Sequence, residues 1–256
     1  MIRTVDSPPT PIPAPMPSPE DIVRLWPLSR RGSAGDRVVD LLLAVDGPDA
    51  LGYPLGTRNQ RLLLVHRSLV GRPVEAHVRC PACGTDNEFV LPVEDVTGLP
   101  RADADAVAHL VVGDAEPAFR LPLLADLTAV AGRSPSDGLR ALASRTCLDE
   151  APRLGPDDLD RLVDAWEALD PAGSLRVGLS CAECGHAVAA DADPADFVAR
   201  DLDVLVDGLM REVDVIAGGY GWSEEAILAL PAPRRRRYVE LITGGLAPAR
   251  RAAVGR

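Results

Sequence analysis

Two Cys-x-x-Cys pairs constrain the fold of this chain more than any other feature of its sequence. They span Cys80–Cys83 (CPAC) and Cys181–Cys184 (CAEC), with 97 residues between them. Each pair follows a short strand-like run and is followed directly by a glycine, Gly84 or Gly185. A two-residue spacer lets one tight turn direct both sulfur atoms to a common point, and glycine tolerates the positive φ of such a turn. The pattern therefore predicts two matching hairpin knuckles.

Together the two pairs offer four thiolates, which suit a tetrahedral Zn²⁺ ion and fill every coordination position. We therefore predict one structural zinc ion bound by Cys80, Cys83, Cys181 and Cys184. The separation between the pairs exceeds the roughly 15–20 residues of compact zinc ribbons. It does not forbid the site, because the entropy cost of closing a loop grows only slowly with its length.

Other interpretations of the cysteines stay open at this point. A thioredoxin-like redox pair would open a helix after a strand, whereas both pairs here are flanked by strand-like runs. A disulfide framework needs an oxidising compartment, and the N-terminus has no apolar signal segment. Inert thiols are the third reading. His186 could replace a thiolate, but we expect it to be an outer donor or a surface residue. Cys147 lies in an apolar run and is predicted to be a core residue.

The pattern of helix, strand and turn signals predicts an α+β protein, mainly helical, with a small four-cysteine zinc ribbon split by a long inserted α/β region. Residues 1–19 contain seven prolines and are predicted to be a disordered tail. The remaining predicted units are an N-terminal helical module (20–73), the split ribbon (74–91 and 175–191), the inserted region (92–174), a C-terminal helical arm (192–247) and a basic tail (248–256).

Local signals set several element boundaries. Thr57 is expected to cap a helix over residues 58–70. The inserted region should open with a strand pair, 108–112 with 118–121. A long helix should open at Asp193-Pro194 and end before Gly218-Gly219.

Charge limits the classes of partner. The net charge is −11, so a general nucleic-acid binder is disfavoured. The charge is also uneven: residues 92–180 carry 16 acidic side chains and 8 arginines, and residues 231–256 carry seven arginines and one glutamate. No apolar run reaches the roughly 18 residues of a membrane helix, so no membrane association is predicted.

The C-terminal third presents a compact aromatic turn followed by a collar of four consecutive arginines. The collar has three interpretations: a solvated surface, a docking site for an acidic protein, or a nucleic-acid contact, the weakest because four arginines in one turn are too few for a footprint. The residues predicted to contact a partner are Tyr220, Trp222, Arg234, Arg235, Arg236 and Arg237.

The sequence offers no catalytic motif. Its four histidines are scattered, and it has no Gly-rich phosphate loop and no His-Glu-x-x-His motif. Neighbouring acids such as Asp157-Asp158 lie at a predicted helix N-terminus, where the helix dipole explains them. We therefore predict that the chain is not an enzyme and has no small-molecule substrate.

Several segments together resemble a family of contractile-tail baseplate proteins related to the T-even phage baseplate hub assembly chaperones, which also occur in gene clusters of phage-tail-like contractile injection systems. The most specific segment is Arg211–Ile242 (REVDVIAGGYGWSEEAILALPAPRRRRYVELI). The other segments are Arg58–Gly71, Arg79–Phe89 (RCPACGTDNEF), Phe119–Leu127 (FRLPLLADL), Leu179–His186 (LSCAECGH) and Asp193–Asp203 (DPADFVARDLD).

This resemblance implies a non-enzymatic role in building or completing a baseplate, with other baseplate, hub or spike proteins as partners. It implies a location in the bacterial cytoplasm or within a phage tail or tail-like particle. Two competing functions remain. A zinc-ribbon regulator that binds nucleic acid or transcription machinery should have a basic ribbon, yet residues 74–79 and 175–180 contain few arginines. A Cys-x-x-Cys redox protein should keep an accessible thiolate or an open metal position.

Overall fold

The computed structural model describes residues 16–26 and 33–244. Helices dominate this part of the chain, and its strands form three two-stranded antiparallel sheets, so the predicted mainly helical α+β class is confirmed.

The helices are α1 Pro19–Leu25, α2 Ala34–Asp46, α3 Leu55–Val70, α4 Val93–Thr97, α5 Leu124–Val130, α6 Pro135–Thr146, α7 Pro156–Leu169, α8 Pro194–Tyr220, α9 Glu224–Leu228 and α10 Ala232–Thr243, with a 3-10 turn at Pro48–Gly52. The strands are β1 Val74–Arg79, β2 Asp86–Leu91, β3 Val107–His109, β4 Ala118–Arg120, β5 Arg176–Ser180 and β6 Ala187–Asp191.

The first two helices begin at serine caps. The hydroxyl of Ser18 accepts from the backbone N–H of Asp21 at 3.1 Å, and the Asp21 carboxylate accepts from the N–H of Ser18 at 2.9 Å. Ser33 and Asp36 repeat this arrangement at the start of α2. Such reciprocal capping satisfies two backbone donors that the helix leaves unpaired. The predicted tail, residues 1–19, therefore overlaps the start of α1 at Ser18 and Pro19. Its residues 1–15 and the predicted basic tail 248–256 lie outside the described residues.

Helix α8 is the centre of the principal core. It is 27 residues long and packs against α1, α2, α3, α9 and α10. The predicted N-terminal module and the predicted C-terminal arm share this core, and we call them together the helical unit. The fully buried large side chains of the core include Ile22, Trp26, Leu41, Leu42, Leu62, Leu124, Leu202 and Ile216.

The predicted end of this helix at Gly218-Gly219 is wrong. Helix α8 continues to Tyr220 and ends at Gly221, whose φ of 73° is left-handed. Gly219 instead allows α10 to approach, because a Cβ at this position would lie 2.7 Å from Cδ1 of Ile242. The glycine serves packing between two helices rather than termination of one.

The inserted region has its own core, built from β3, β4, α6 and α7. Ala108 pairs with Phe119 in the short strand pair. Strand β3 begins one residue before the predicted 108–112 and ends at His109, and β4 ends one residue before the predicted 118–121 does. Trp166 is buried against this core and donates from Nε1 to the carbonyl of Arg120 at 3.1 Å. Cys147 is partly buried against the same cluster. The region therefore packs as a second unit, joined to the first by a limited set of contacts.

Helix α3 makes several of those contacts through two adjacent amide side chains. Asn59 donates to the carbonyls of Ala172 and Gly173 at 2.8 and 3.2 Å, at the end of the inserted region. Gln60 donates to the carbonyls of Val96 and Leu99 at 3.1 and 2.9 Å, at its beginning. One turn of α3 therefore contacts both the first and the last residues of the inserted region, which we call its roots.

Two further polar side chains of α3, Arg61 and His66, are buried and paired within the helical unit. Arg61 makes three hydrogen bonds to the carboxylate of Asp46, at 2.5 to 3.0 Å. His66 is fully buried, and its Nε2 lies 2.8 Å from Oδ2 of Asp201 on α8. Buried charges are tolerated when they are paired in this way.

The predicted cap at Thr57 is wrong, because α3 begins at Leu55, three residues before the predicted first residue, Arg58. Pro54 precedes the helix and offers no side-chain cap. The backbone N–H of Gly56 is satisfied by Oδ2 of Asp170 at 2.7 Å, a residue 114 positions away. A cap supplied from so far along the chain leaves no local signal.

Candidate metal centre

The four cysteines of the two pairs come together in one cluster. Their sulfur atoms all lie within 4.8 Å of one another. The Sγ atoms of Cys80 and Cys184 are 3.7 Å apart, and those of Cys83 and Cys181 are 3.6 Å apart. Four thiolates at about 2.3 Å from a tetrahedral metal ion would be separated by about 3.8 Å. The cluster therefore has the dimensions of a four-thiolate metal site.

The two knuckles have the same local geometry, although 97 residues separate them. The N–H of Gly84 donates to the carbonyl of Cys80 at 2.9 Å, and the N–H of Gly185 donates to that of Cys181 at 2.9 Å. The φ angles of these glycines are 78° and 71°, the left-handed conformation that glycine adopts without steric cost. Each turn therefore directs its two sulfurs by the same means, as the sequence predicts.

A second hydrogen bond closes each knuckle and continues into its hairpin. The N–H of Cys80 donates to the carbonyl of Thr85 at 2.8 Å, and that of Cys181 donates to the carbonyl of His186 at 2.9 Å. Strand β1 then pairs with β2, and β5 with β6. His186 contributes through its backbone, and its ring does not belong to the cluster of potential ligands in the described residues.

Each pair contributes one inner and one outer sulfur. Cys80 and Cys181 are 1% and 3% exposed and pack with Val188, whereas Cys83 and Cys184 are exposed. All five cysteines of the chain are free thiols. The inner sulfurs therefore pack against the two hairpins, and the outer sulfurs lie at the surface.

Backbone donors make part of the cluster anionic. The N–H groups of Cys184 and Glu183 donate to the sulfur of Cys181 and lower its pKa to about 6. The hydroxyl and backbone of Thr85 lower the pKa of Cys83 below its usual range. Donors of this kind are typical of knuckles that hold thiolate ligands.

The pKa of Cys184 is shifted in the opposite direction. The N–H of His186 lowers the pKa of Cys184, but Cys83, burial, Cys80 and Cys181 together raise it to about 12. Adjacent negative charges disfavour a further thiolate, whereas a bound divalent cation deprotonates the thiols that coordinate it. The four sulfurs can therefore hold a metal ion, whose positive charge would offset the electrostatic repulsion between neighbouring thiolates.

Asn87 joins the two knuckles and was not singled out by the sequence. Its Oδ1 accepts from the N–H of Ala182 at 2.9 Å, and its Nδ2 donates to the carbonyl of Thr85 at 3.0 Å. The side chain is 6% exposed. One amide thus fixes the second Cys-x-x-Cys turn against the first. Its only sequence signal is its place four residues after Cys83.

The predicted aromatic contact residues form part of a three-ring cluster at the end of α8. The rings of Tyr220 and Trp222 stack with centroids 5.1 Å apart. Tyr238 of α10 meets both rings edge-on, at 5.5 and 5.0 Å. Trp222 is 38% exposed. The cluster fixes α10 to α8 and still presents an aromatic surface.

The prediction that four consecutive arginines form one solvent-facing collar is wrong for Arg235. This side chain is 3% exposed, and it donates to Oε2 of Glu212 at 2.7 Å and to the carbonyl of Leu230 at 2.5 Å. Its helical position turns it toward α8. Arg234, Arg236 and Arg237 are exposed, so these three are the arginines that a partner can reach.

No protein-family model, no curated protein and no solved structure matches this chain. The resemblance of Arg211–Ile242 to baseplate proteins therefore stays a prediction. Among the helices of the described residues, none combines the length and the apolar character needed to span a membrane. The mainly helical fold and the closed cluster of four cysteines define the class of protein: an α+β protein with a candidate four-thiolate metal centre.

Proposed function

We propose that this chain is a non-enzymatic structural or assembly factor for the baseplate of a contractile phage tail or phage-tail-like injection system, and that it contains a structural zinc ion. The observation that carries the proposal is the cluster of four cysteine sulfurs within 4.8 Å of one another. Four protein ligands leave no position for a substrate or an activated water molecule, which is the arrangement of structural zinc sites.

Zinc is the ion that best suits these ligands. Soft thiolates favour zinc, and four of them in a tetrahedron distinguish it from the oxygen-bound Mg²⁺ and Ca²⁺. The sulfur separations of 3.6 and 3.7 Å match those about an ion of this size. Because the two pairs flank the inserted region, binding would contribute directly to the folding free energy by holding distant segments together.

The assembly role is supported by the segment with the most specific resemblance to baseplate proteins. Residues 211–242 form the end of α8, then α9 and α10. This end of the helical unit presents Trp222 and three exposed arginines, Arg234, Arg236 and Arg237. Exposed aromatic and arginine side chains are enriched in protein interfaces. Their positive charge would steer an acidic partner surface toward this end.

The test is co-expression of the full chain with the sheath, tube, hub and spike proteins of a contractile tail from the same genome. The tagged chain is captured, its partners are identified by mass spectrometry, and its metal is measured by elemental analysis. We expect about one zinc ion per chain together with hub, spike or baseplate subunits. A metal-free protein with reactive thiols, or capture of RNA polymerase and nucleic acid alone, would overturn the proposal.

Two matched variants separate charge from fold in this experiment. Replacing Arg234, Arg236 and Arg237 by glutamate should abolish capture of the baseplate subunits, and replacing the same three by lysine should preserve most of it. Arg235 is left unchanged because its side chain is buried against Glu212. Equal capture by the glutamate and lysine variants would show that this end of the helical unit is not the contact surface.

A further inference from the structure

A cavity of about 280 Å³ opens on the inserted region, far in sequence from the cysteine pairs and from the arginine collar. One wall is α6, which contributes Arg140 and Ala143, and the other is the segment after α6 that contains Arg153 and Leu154. Neither the proposed zinc site nor the proposed partner surface makes use of it.

The floor of this cavity is apolar and firmly held. Phe119 is fully buried, and Ala143 and Leu159 are 2% and 5% exposed. Phe119 lies in β4, where it pairs with Ala108 on one side and bridges to Cys147 on the other. Because strand pairing and two helices fix the floor, the cavity is preformed.

Two exposed arginines stand at the cavity without an internal partner. Neither Arg140 nor Arg153 makes an ion pair or a side-chain hydrogen bond within the described part of the chain. Other arginines of the inserted region are committed: Arg120 and Arg145 bind Asp126, and Arg161 binds Asp158. Arg133 also has no side-chain partner within the described residues, but it does not line the cavity; what sets Arg140 and Arg153 apart is that both stand at one largely apolar cavity.

We infer that this cavity binds a short segment of a protein partner in which an acidic side chain neighbours an apolar one. Guanidinium groups bind carboxylates through paired, charge-assisted hydrogen bonds. The apolar side chain of the partner would pack against the apolar floor of the cavity. The inference goes beyond the proposed function and does not depend on it.

The test uses purified full-length protein labelled with ¹⁵N and a pair of peptides that differ in one charge. The peptides are acetyl-Gly-Leu-Phe-Glu-Leu-Gly-amide and its counterpart with glutamine in place of glutamate. We expect the glutamate peptide to shift the backbone amides of Ala143, Ser144, Arg153 and Leu154. The glutamine peptide should bind at least about tenfold more weakly, because it lacks the charge-assisted bonds.

Protein variants locate the binding independently of the peptides. The double variant Arg140→Glu, Arg153→Glu should lose binding of the glutamate peptide. Arg133→Glu is the matched control, because Arg133 is an exposed arginine of the same region that does not line the cavity. All three sites are exposed, and unchanged amide spectra elsewhere confirm the fold. Equal affinity for both peptides, shifts confined to other surfaces, full binding by the double variant, or no binding at millimolar peptide would each overturn the inference.

Discussion

The carboxylate of Asp170 and the backbone of Gly56 lie so close that no side chain fits between them. Oδ2 of Asp170 accepts from the N–H of Gly56 at 2.7 Å, and a Cβ at residue 56 would lie 1.9 Å from Oδ1. Burial raises the pKa of Asp170 more than this hydrogen bond lowers it. The contact joins the last root of the inserted region to the first turn of α3, so two units of the fold depend on one glycine.

Gly56→Ala should therefore destabilise the protein. The added methyl group forces Asp170 away and removes the hydrogen bond, at a cost of about 3 kcal/mol in the free energy of unfolding. Gly208→Ala is the matched control, because Gly208 is also helical and a Cβ there meets nothing within 4 Å. That control should gain about 0.5–1 kcal/mol. Urea denaturation of both variants decides; equal stability would show that Asp170 relocates without cost.

Asn87→Ala should weaken metal binding without removing any ligand. The change leaves the N–H of Ala182 without its acceptor and frees one Cys-x-x-Cys turn from the other. Loss of such an outer hydrogen bond reduces metal affinity by about 10- to 100-fold. Competition with a chromophoric chelator measures the affinity. Glu88→Ala, an exposed change on the same strand, should leave it unaltered, and a similar loss in both variants would contradict the role of Asn87.

Cys80→Ser and Cys147→Ser should differ in metal content, although each removes one thiol. Cys80 belongs to the four-sulfur cluster, and Cys147 lies in the core of the inserted region. The first variant should lose the metal and, with it, soluble expression, because ion binding is coupled to folding. The second should retain about one ion per chain. Elemental analysis distinguishes them, and a folded, metal-free Cys80→Ser protein would contradict a structural ion.

Asp126 is a buried carboxylate held by two arginines. Arg120 donates to both of its oxygens, at 2.6 and 3.0 Å, and Arg145 donates at 3.2 Å. Burial alone would raise the pKa of Asp126, but the hydrogen bonds from Arg120, from the N–H of Leu123 and from Arg145 together hold it below its usual range. Because the folded state favours the charged form, the carboxylate contributes stability at neutral pH.

Asp126→Asn should cost about 2–3 kcal/mol of unfolding free energy at pH 7. A lowered pKa means that the contribution is complete above the unfolded value of about 4 and is lost as the pH falls through the folded value. The difference between the two proteins should therefore stay constant from pH 8 to 5 and shrink only below pH 4. Asp164→Asn, an exposed change on α7, should remain within about 0.5 kcal/mol. A difference that narrows above pH 5 would contradict the lowered pKa.

Structural features that depend only on residues close together in the chain could be predicted from the sequence. The paired cysteines with their glycines and the strands beside each knuckle depend on local spacing, which fixes local geometry. The long separation of Cys83 and Cys181 did not hide the site, because each Cys-x-x-Cys-Gly motif has two ligands and requires a second motif to complete the set of four.

Features that depend on distant partners could not be predicted. Gly219 looks like a helix end until Ile242 is placed beside it, and Arg235 looks exposed until Glu212 is found facing it. Asn59 and Gln60 look like ordinary surface positions of a helix, yet they bind carbonyls at the two roots of the inserted region. Tertiary contacts of this kind override local preference, and no spacing within the chain encodes them.

The positions of these roots bring the two ends of the inserted region together at one place in the fold. The chain departs at Leu91 and returns at Leu175, and both residues pack in one small apolar cluster beside the paired knuckles. A segment of another length could connect those two residues, because the closure entropy of the intervening chain changes only with the logarithm of its length. The paired knuckles would then be a fixed attachment point, and the helical unit could keep its structure while the inserted region changes.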